Sequence, residues 1–302
     1  MVFLGTGGSV PTPARSLPSV VVHRGSEVLM FDCGEGTQRQ MIRAKTGFHK
    51  NMKIFVTHMH GDHMLGLPGV LQTMALLDRE RKVEVFGPVG IRRFLECVGE
   101  TVQFVLTFPV EVCEVMKPGL VCEEEEYVVE AVVSNHVVPS FAYALVEKPR
   151  AGRFYPKKAK ALGIPKGILW SKLQHGESVR LPNGSIVKAR QVVGPSRRGR
   201  KIVYTGDTRP FKELASMARD ADLLIHDGTL DDDLAERAER DGHSTPSQAA
   251  ACAKEACVKQ LVLTHISARY DDTGGLLKHA KKIFRKSLIA EDFMSVELPL
   301  RE

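Results

Sequence analysis

A six-residue run, His58-Met59-His60-Gly61-Asp62-His63, follows directly on an apolar segment over residues 53–57. Four groups able to ligate a metal within six residues are costly to bury for packing alone, because each then needs a polar partner. Neutral imidazoles together with a carboxylate suit zinc, and a strand end that turns into a loop can aim them at one point. The fold must therefore close around the end of this strand. One such run cannot give a tetrahedral ion four ligands and still leave room for a substrate. Further ligands from elsewhere are expected, or two ions that share some of them. Candidates stand at the ends of other strand-like runs: His136, Asp207 in Thr205-Gly206-Asp207-Thr208, and His265 in Leu263-Thr264-His265.

The rest of the chain alternates strands and helices, which gives an α/β class. Strands are predicted over residues 19–23, 27–32, 52–58, 82–87, 127–134, 141–146, 201–205, 222–226, 260–265 and, closing the chain, 293–298. Helices are predicted over 36–45, 65–77, 90–98, 210–219, 245–256 and 276–285. Asp32, His58, His136, Asp207, His226 and His265 fall at strand ends, where α/β folds gather a site on one rim.

A length of 302 residues allows two domains or one large one, and 43% hydrophobic with 26% charged residues excludes a disordered or fibrous chain. No run of about eighteen apolar residues offers a membrane span. The start of the chain lacks a basic head followed by an apolar stretch, so no secretory signal is expected. The six cysteines form no C-x-x-C pair, and reduced, mostly buried thiols in a cytoplasmic setting are expected.

The net charge of +6 hides two opposed regions. Residues 148–201 carry fifteen Lys or Arg against one acid, Glu177, a local +14, while the rest of the chain carries −8. Hydrophobic periodicity weakens there, and five prolines punctuate it. Such a stretch points to a polyanionic partner, since affinity for phosphates comes from Lys and Arg releasing counterions. Phe154, Tyr155 and Trp170 could stack on bases or pack against their own scaffold. The acidic run over residues 123–126 reads as a solvated turn.

His-x-His-x-Asp-His after a strand resembles the signature of the metallo-β-lactamase superfamily, with Asp32, His136, Asp207 and His265 in its order. Within that superfamily the chain resembles the ribonuclease Z family, the tRNA 3′-processing endonucleases. The runs that carry this likeness span nearly the whole length. They are Phe3-Leu4-Gly5-Thr6-Gly7, Asp32-Cys33-Gly34-Glu35-Gly36-Thr37-Gln38, Val203-Tyr204-Thr205-Gly206-Asp207-Thr208-Arg209, Gly242-His243-Ser244-Thr245 and Leu263-Thr264-His265-Ile266-Ser267-Ala268-Arg269-Tyr270. Gly163-Ile164-Pro165-Lys166-Gly167 resembles the glycine- and proline-containing motif of that family's flexible arm.

The resemblance implies a single domain over residues 1–302, an αββα sandwich with a basic arm inserted at about 148–200. It implies two zinc ions per chain. His58, His60 and His136 would hold one and Asp62, His63 and His265 the other, with Asp207 and a water or hydroxide bridging them. It also implies that Asp62 accepts a proton, that His243 donates one, and that Asp32 orients a ligand histidine. The products would be a 3′-hydroxyl on the tRNA and a 5′-phosphate on the trailer. The partner would be precursor tRNA, met by Arg15, Arg153, Lys157, Lys158, Lys160 and Lys166, and the chain would form a homodimer. Ser244-Thr245-Pro246 beside His243 also reads as helix-capping chemistry.

Two departures stand out. Asp227, in His226-Asp227-Gly228-Thr229, is one methylene shorter than the family's usual glutamate. If it orients His243, the contact is expected to be altered or bridged by water. In residues 11–16, Arg15 is kept, but Pro13 and Ser16 replace the Lys and Asn that many members use in sensing the CCA end. Rival readings are a small-molecule metallo-hydrolase, a phosphodiesterase or lactonase, and a non-catalytic RNA-binding protein.

Overall fold

The structure is a computed structural model that describes residues 1–300. Its first sheet contains β1 (Val2–Gly5), β2 (Ser19–Arg24), β3 (Glu27–Phe31), β4 (Asn51–Phe55), β5 (Val83–Pro88) and β6 (Val110–Val115), in that order. The β1–β2 and β2–β3 pairs are antiparallel, and from β3 to β6 the pairing is parallel. A second sheet follows the chain in the same way: β7 (Gly119–Glu123), β8 (Tyr127–Val133), β9 (Phe141–Glu147), β10 (Lys201–Tyr204), β11 (Leu223–Asp227), β12 (Leu261–Thr264) and β13 (Ser287–Ile289). Its last four strands are parallel.

Alternation along the strands builds the layers. On β3, Val28 and Met30 join Ile54, Val83 and Val85 in an apolar layer with Met41 of α1 (Thr37–Ala44), Leu67, Val70, Leu71 and Met74 of α2 (Gly66–Leu76) and Ile91 of α3 (Ile91–Val102). Phe31 points the other way. Its ring lies 5.3 Å from that of Phe55, 6.3 Å from Tyr143 and 5.9 Å from Tyr204, joining the two sheets through aromatic contacts. The helices α4 (Lys212–Met217), α5 (Pro246–Glu255) and α6 (Gly274–Ile283) belong to the second half, where α5 packs on β11 and β12. This is the expected αββα sandwich.

Parallel strands bring their carboxyl ends to one rim. Asp32 follows β3, the His58–His63 run follows β4, Asp207 follows β10, Asp227 ends β11 and His265 follows β12, while His136 lies between β8 and β9.

The chain divides into two compact units. The first holds the body of both sheets, and the second holds residues 146–200 with Glu124–Tyr127, Pro299 and Leu300. The second unit has its own small core of Ala159, Ile164, Leu173, Val179, Leu181, Val187 and Val192. It contains helices Pro156–Ala161 and Ile168–Gln174 and a hairpin pairing Val179–Arg180 with Ile186–Val187. Arg200 grips Glu147 with two bonds, of 2.6 and 2.8 Å. Trp170 packs 5.1 Å from Phe154 and donates its indole N–H to the Ile164 carbonyl at 3.0 Å, so these two aromatics serve their own scaffold.

Two expectations are corrected. No strand forms over 293–298: Phe293 takes a left-handed backbone (φ 67°) that ends any extended run, and the closing strand is β13. Strands β6 and β7, with Glu111 and Glu123 exposed, are found in addition to the predicted strands. The cysteines are all free, but only Cys33 and Cys122 are buried, because Cys97 lies on the exposed side of α3 and Cys113 on the edge strand β6.

Candidate metal centre

Five histidines and two aspartates converge at the rim. His58 Nε2 lies 3.0 Å from His60 Nδ1, which lies 3.3 Å from His136 Nε2, and His58 Nε2 is 3.7 Å from Asp207 Oδ2. A second group forms around the other oxygen of the same carboxylate. His63 Nε2 and His265 Nε2 each lie 3.3 Å from Asp207 Oδ1, and 3.6 and 3.4 Å from Asp62 Oδ2. A tetrahedron with metal–ligand bonds of about 2.0–2.1 Å has edges of about 3.3–3.4 Å. Both groups have that spacing.

The far side of each ring fixes its tautomer. His136 Nδ1 donates to the Gly242 carbonyl at 2.8 Å, and His63 Nδ1 donates to Asp32 Oδ2 at 2.7 Å. Thr57 Oγ1 donates to Asp32 and so accepts from His58 Nδ1 at 2.9 Å. Thr229 Oγ1 donates to Asp227 and accepts from His265 Nδ1 at 2.7 Å. In all four rings the proton on Nδ1 leaves the Nε2 lone pair directed inward. His63 Nε2 and Asp207 Oδ1 are buried and have no hydrogen-bond partner, although they lie 3.3 Å apart. Two acceptors turned toward a shared point are what a cation needs, so the residues present fit a metal.

The electrostatics agree. Burial, reinforced by His63, His136 and His60 against the pull of Asp207, lowers the His58 imidazole to about 2, which keeps it neutral and able to ligate. Burial disfavours the Asp62 and Asp207 carboxylates, yet His265 and His63 beside them hold both well below the usual carboxylate range. His63 is the exception. Burial opposes its charge, but Asp207 and Asp32 raise its pKa well above that of a free imidazole, so a cation must displace that proton.

Asp32 stands one layer back. It accepts from Thr57 N–H (2.7 Å), Thr57 Oγ1 (3.0 Å), Tyr204 O–H (2.8 Å) and His63 Nδ1. His243 lies at the edge of the cluster, its ring 5.5 Å from His136 and 5.1 Å from His265. Its Nδ1 donates to Asp227 Oδ2 at 2.9 Å, so the shorter carboxylate reaches the ring directly rather than through water. Asp227 reaches because the Thr208 and Thr229 amides and the Thr229 hydroxyl draw it in at 3.1, 2.9 and 2.6 Å. Burial lowers the His243 pKa, but Asp227 and then Asp207 outweigh it and lift the imidazole to about 9. The helix-capping signals hold too: Thr245 and Gln248 form a reciprocal capping box with Pro246 in the first turn of α5.

His226 does not join the cluster. It is buried and donates Nδ1 to the Asp227 carbonyl at 2.8 Å. Arg15 is half-buried, with Nη1 engaged by Thr6 Oγ1 and the Ala290 carbonyl, and Arg153, Lys157, Lys158, Lys160 and Lys166 are exposed on the second unit. Sequence reasoning assigned no role to Thr57, Tyr204 or Thr229, which anchor the rings through hydroxyls. Their only signal is adjacency to the motif residues.

The beta-lactamase superfamily domain matches residues 168–266, and the family model described as anti-Pycsar protein Apyc1 matches residues 1–96. Among solved structures, human tRNase Z, short form, superposes with a TM-score of 0.73 at 31% identity, covering 99% of this chain and 98% of that one. Among curated relatives, the ribonuclease Z of Methanosarcina mazei is 48% identical and that of Methanosarcina acetivorans 50%, each over 302 residues covering this whole chain and 98% of the relative. On that full-length identity, the chain belongs to the ribonuclease Z family.

Proposed function

We propose that this protein is a zinc-dependent endoribonuclease that removes 3′ trailers from precursor tRNA. The observation that carries the reading is Asp207, which turns one oxygen to the group of His58, His60 and His136 and the other to His63 and His265, which also face Asp62. Two ions held by these groups, sharing Asp207, would acidify a water and neutralise charge on the scissile phosphate.

The chain's own residues supply the proton traffic. Asp62 commits Oδ2 to the cluster and to the Ser9 amide at 2.9 Å, which leaves Oδ1 to take the proton of the attacking water. The new P–O bond forms as the bond from phosphorus to the 3′-oxygen breaks. His243, held by Asp227 through Nδ1, delivers a proton from Nε2 to that leaving oxygen. The tRNA keeps a 3′-hydroxyl and the trailer a 5′-phosphate. Asp32 keeps His63 in its ligating tautomer through the bond at 2.7 Å.

The insertion serves as the arm for the tRNA body. Its exposed Arg153, Lys157, Lys158, Lys160 and Lys166 suit a phosphate backbone, and Arg153, Tyr155 and Arg197 line a depression of about 480 Å³ there. A cytoplasmic homodimer completes the reading by family likeness. No helix of the described residues is long and apolar enough to cross a membrane.

Replacing Lys157, Lys158, Lys160 and Lys166 by Gln tests the substrate. Binding of precursor tRNA should weaken, and its dependence on log salt should flatten by about 0.7–0.9 for each phosphate no longer neutralised. Hydrolysis of bis-p-nitrophenyl phosphate should stay unchanged. Equal loss on both substrates would favour a small-molecule hydrolase in which the arm is structural.

A further inference from the structure

The loop over residues 9–16 is held at its two ends by different carboxylates. At its start the Ser9 amide donates to Asp62 Oδ2, the oxygen that faces His63 and His265. At its base the Ser16 amide donates to Asp292 Oδ2 at 2.7 Å. Asp292 also accepts the Thr6 hydroxyl on Oδ1 at 2.8 Å and Gln40 Nε2 on Oδ2 at 3.1 Å. The Ser16 carbonyl accepts the amides of Thr6 (3.0 Å) and Gly7 (2.9 Å), so the loop leaves and rejoins the first strand at one point. Arg15 spans that base, its Nη1 donating to Thr6 Oγ1 at 2.7 Å and to the Ala290 carbonyl at 2.6 Å.

The segment that brings Asp292 here is specialised for it. Met294 N–H closes a turn on the Glu291 carbonyl at 3.0 Å, and Phe293 adopts a left-handed backbone that bulky side chains rarely take. Phe293 and Met294 then exchange backbone bonds with Phe3 at 2.7 and 3.0 Å, which locks the turn to β1. Asp292 touches none of the atoms that converge on the metal centre, and its three bonds go to the loop base, to Thr6 and to α1.

We propose that Asp292 is a positioning residue for the RNA substrate. Through Ser16, Thr6 and Arg15 it fixes the 9–16 loop beside Asp62, and so sets how the RNA flanking the scissile phosphate is received. This deepens the RNA-processing reading and rests on it. A small diester that reaches only the metal centre would not need the loop, whereas an RNA chain passing the Ser9–Asp62 contact would meet it.

The test compares Asp292→Asn with the wild-type holoenzyme on precursor tRNA and on bis-p-nitrophenyl phosphate. The expected result is a KM for precursor tRNA raised about tenfold or more with kcat within about threefold, and small-diester hydrolysis and metal content unchanged. Thr6→Val removes the hydroxyl that links Asp292 to Arg15, and should give the same split if Asp292→Asn folds poorly. Combining Asp292→Asn with Arg15→Gln should raise KM by less than the product of the single effects, because both act through Thr6. An unchanged KM in both folded variants, or a parallel loss on both substrates, would overturn the assignment. A wild-type protein that cuts no precursor would instead overturn the RNA-processing reading, and this assignment with it.

Discussion

His63 Nε2 and Asp207 Oδ1 lie 3.3 Å apart in the core of the rim, both buried and neither hydrogen-bonded. An ordinary buried polar pair at this distance would bond to each other. These are held apart by what lies behind them: Asp32 fixes the far nitrogen of His63, and Asp207 is drawn between two sets of imidazoles.

Asp207→Ala should therefore cost both ions rather than one, because each set of ligands loses the oxygen turned to it. Metal analysis should fall from two divalent ions per chain to below one, with activity lost. His63→Ala should retain an ion at His58, His60 and His136. Loss of a single ion in Asp207→Ala would mean that the carboxylate does not bridge.

Gly8 faces the ring of His265, and a Cβ there would come within 2.6 Å of His265 Cε1 and Nδ1 and 2.8 Å of its backbone oxygen. Gly8→Ala should displace that ring from Thr229 and weaken the ion held with Asp62 and His63. Titration with a competing chelator should show about tenfold or greater loss of affinity at one of two sites. Unchanged affinity at both would mean that the ring moves without cost.

Asp227→Asn keeps the volume of the side chain but sets an amide against donors from Thr208 and Thr229 and removes the charge beside His243. Turnover on precursor tRNA should fall by roughly 10²-fold, in the range of a lost general acid. A precursor with sulfur in place of the leaving 3′-oxygen of the tRNA, a 3′-phosphorothiolate linkage, should recover most of the loss. No recovery would point to a structural role for Asp227.

Arg79 is fully buried, lies over the Phe108 ring at 5.4 Å and hydrogen-bonds through its guanidinium to carbonyls: Arg81 and Lys82 at 2.6 and 2.8 Å, and Phe48. Arg79→Met leaves those three acceptors dry, and should destabilise the fold by roughly 3 kcal/mol in urea denaturation. The kcat of the folded fraction should not change. A loss of kcat without a loss of stability would give Arg79 a part in the site.

Much of the site is legible in the sequence because its ligands cluster at strand ends, where a polar residue after an apolar run has no packing reason to be there. His58, His60, Asp62 and His63 announce themselves this way, and Asp207 and His265 do so by following Val203-Tyr204 and Leu261–Thr264. His226 carries the same signal and is a core residue, since its side chain leaves the opposite face of β11 from Asp227. The hydroxyls that orient the rings are not legible: Thr57, Thr229 and Tyr204 resemble any strand residue until the folded rim brings them within 3 Å of their partners. The end of the chain misleads for a related reason. The run from Phe293 has strand-like composition, but Asp292 is bound to Thr6, Ser16 and Gln40, contacts across more than 250 residues that local pattern cannot express.

The most direct measurement is cleavage of an end-labelled precursor tRNA by the metal-loaded protein, with both product ends mapped. The expected result is one endonucleolytic cut beside the acceptor stem, a 3′-hydroxyl on the tRNA and a 5′-phosphate on the trailer. No cut near the acceptor stem with two ions bound, or a 3′-phosphate left on the tRNA, would contradict it.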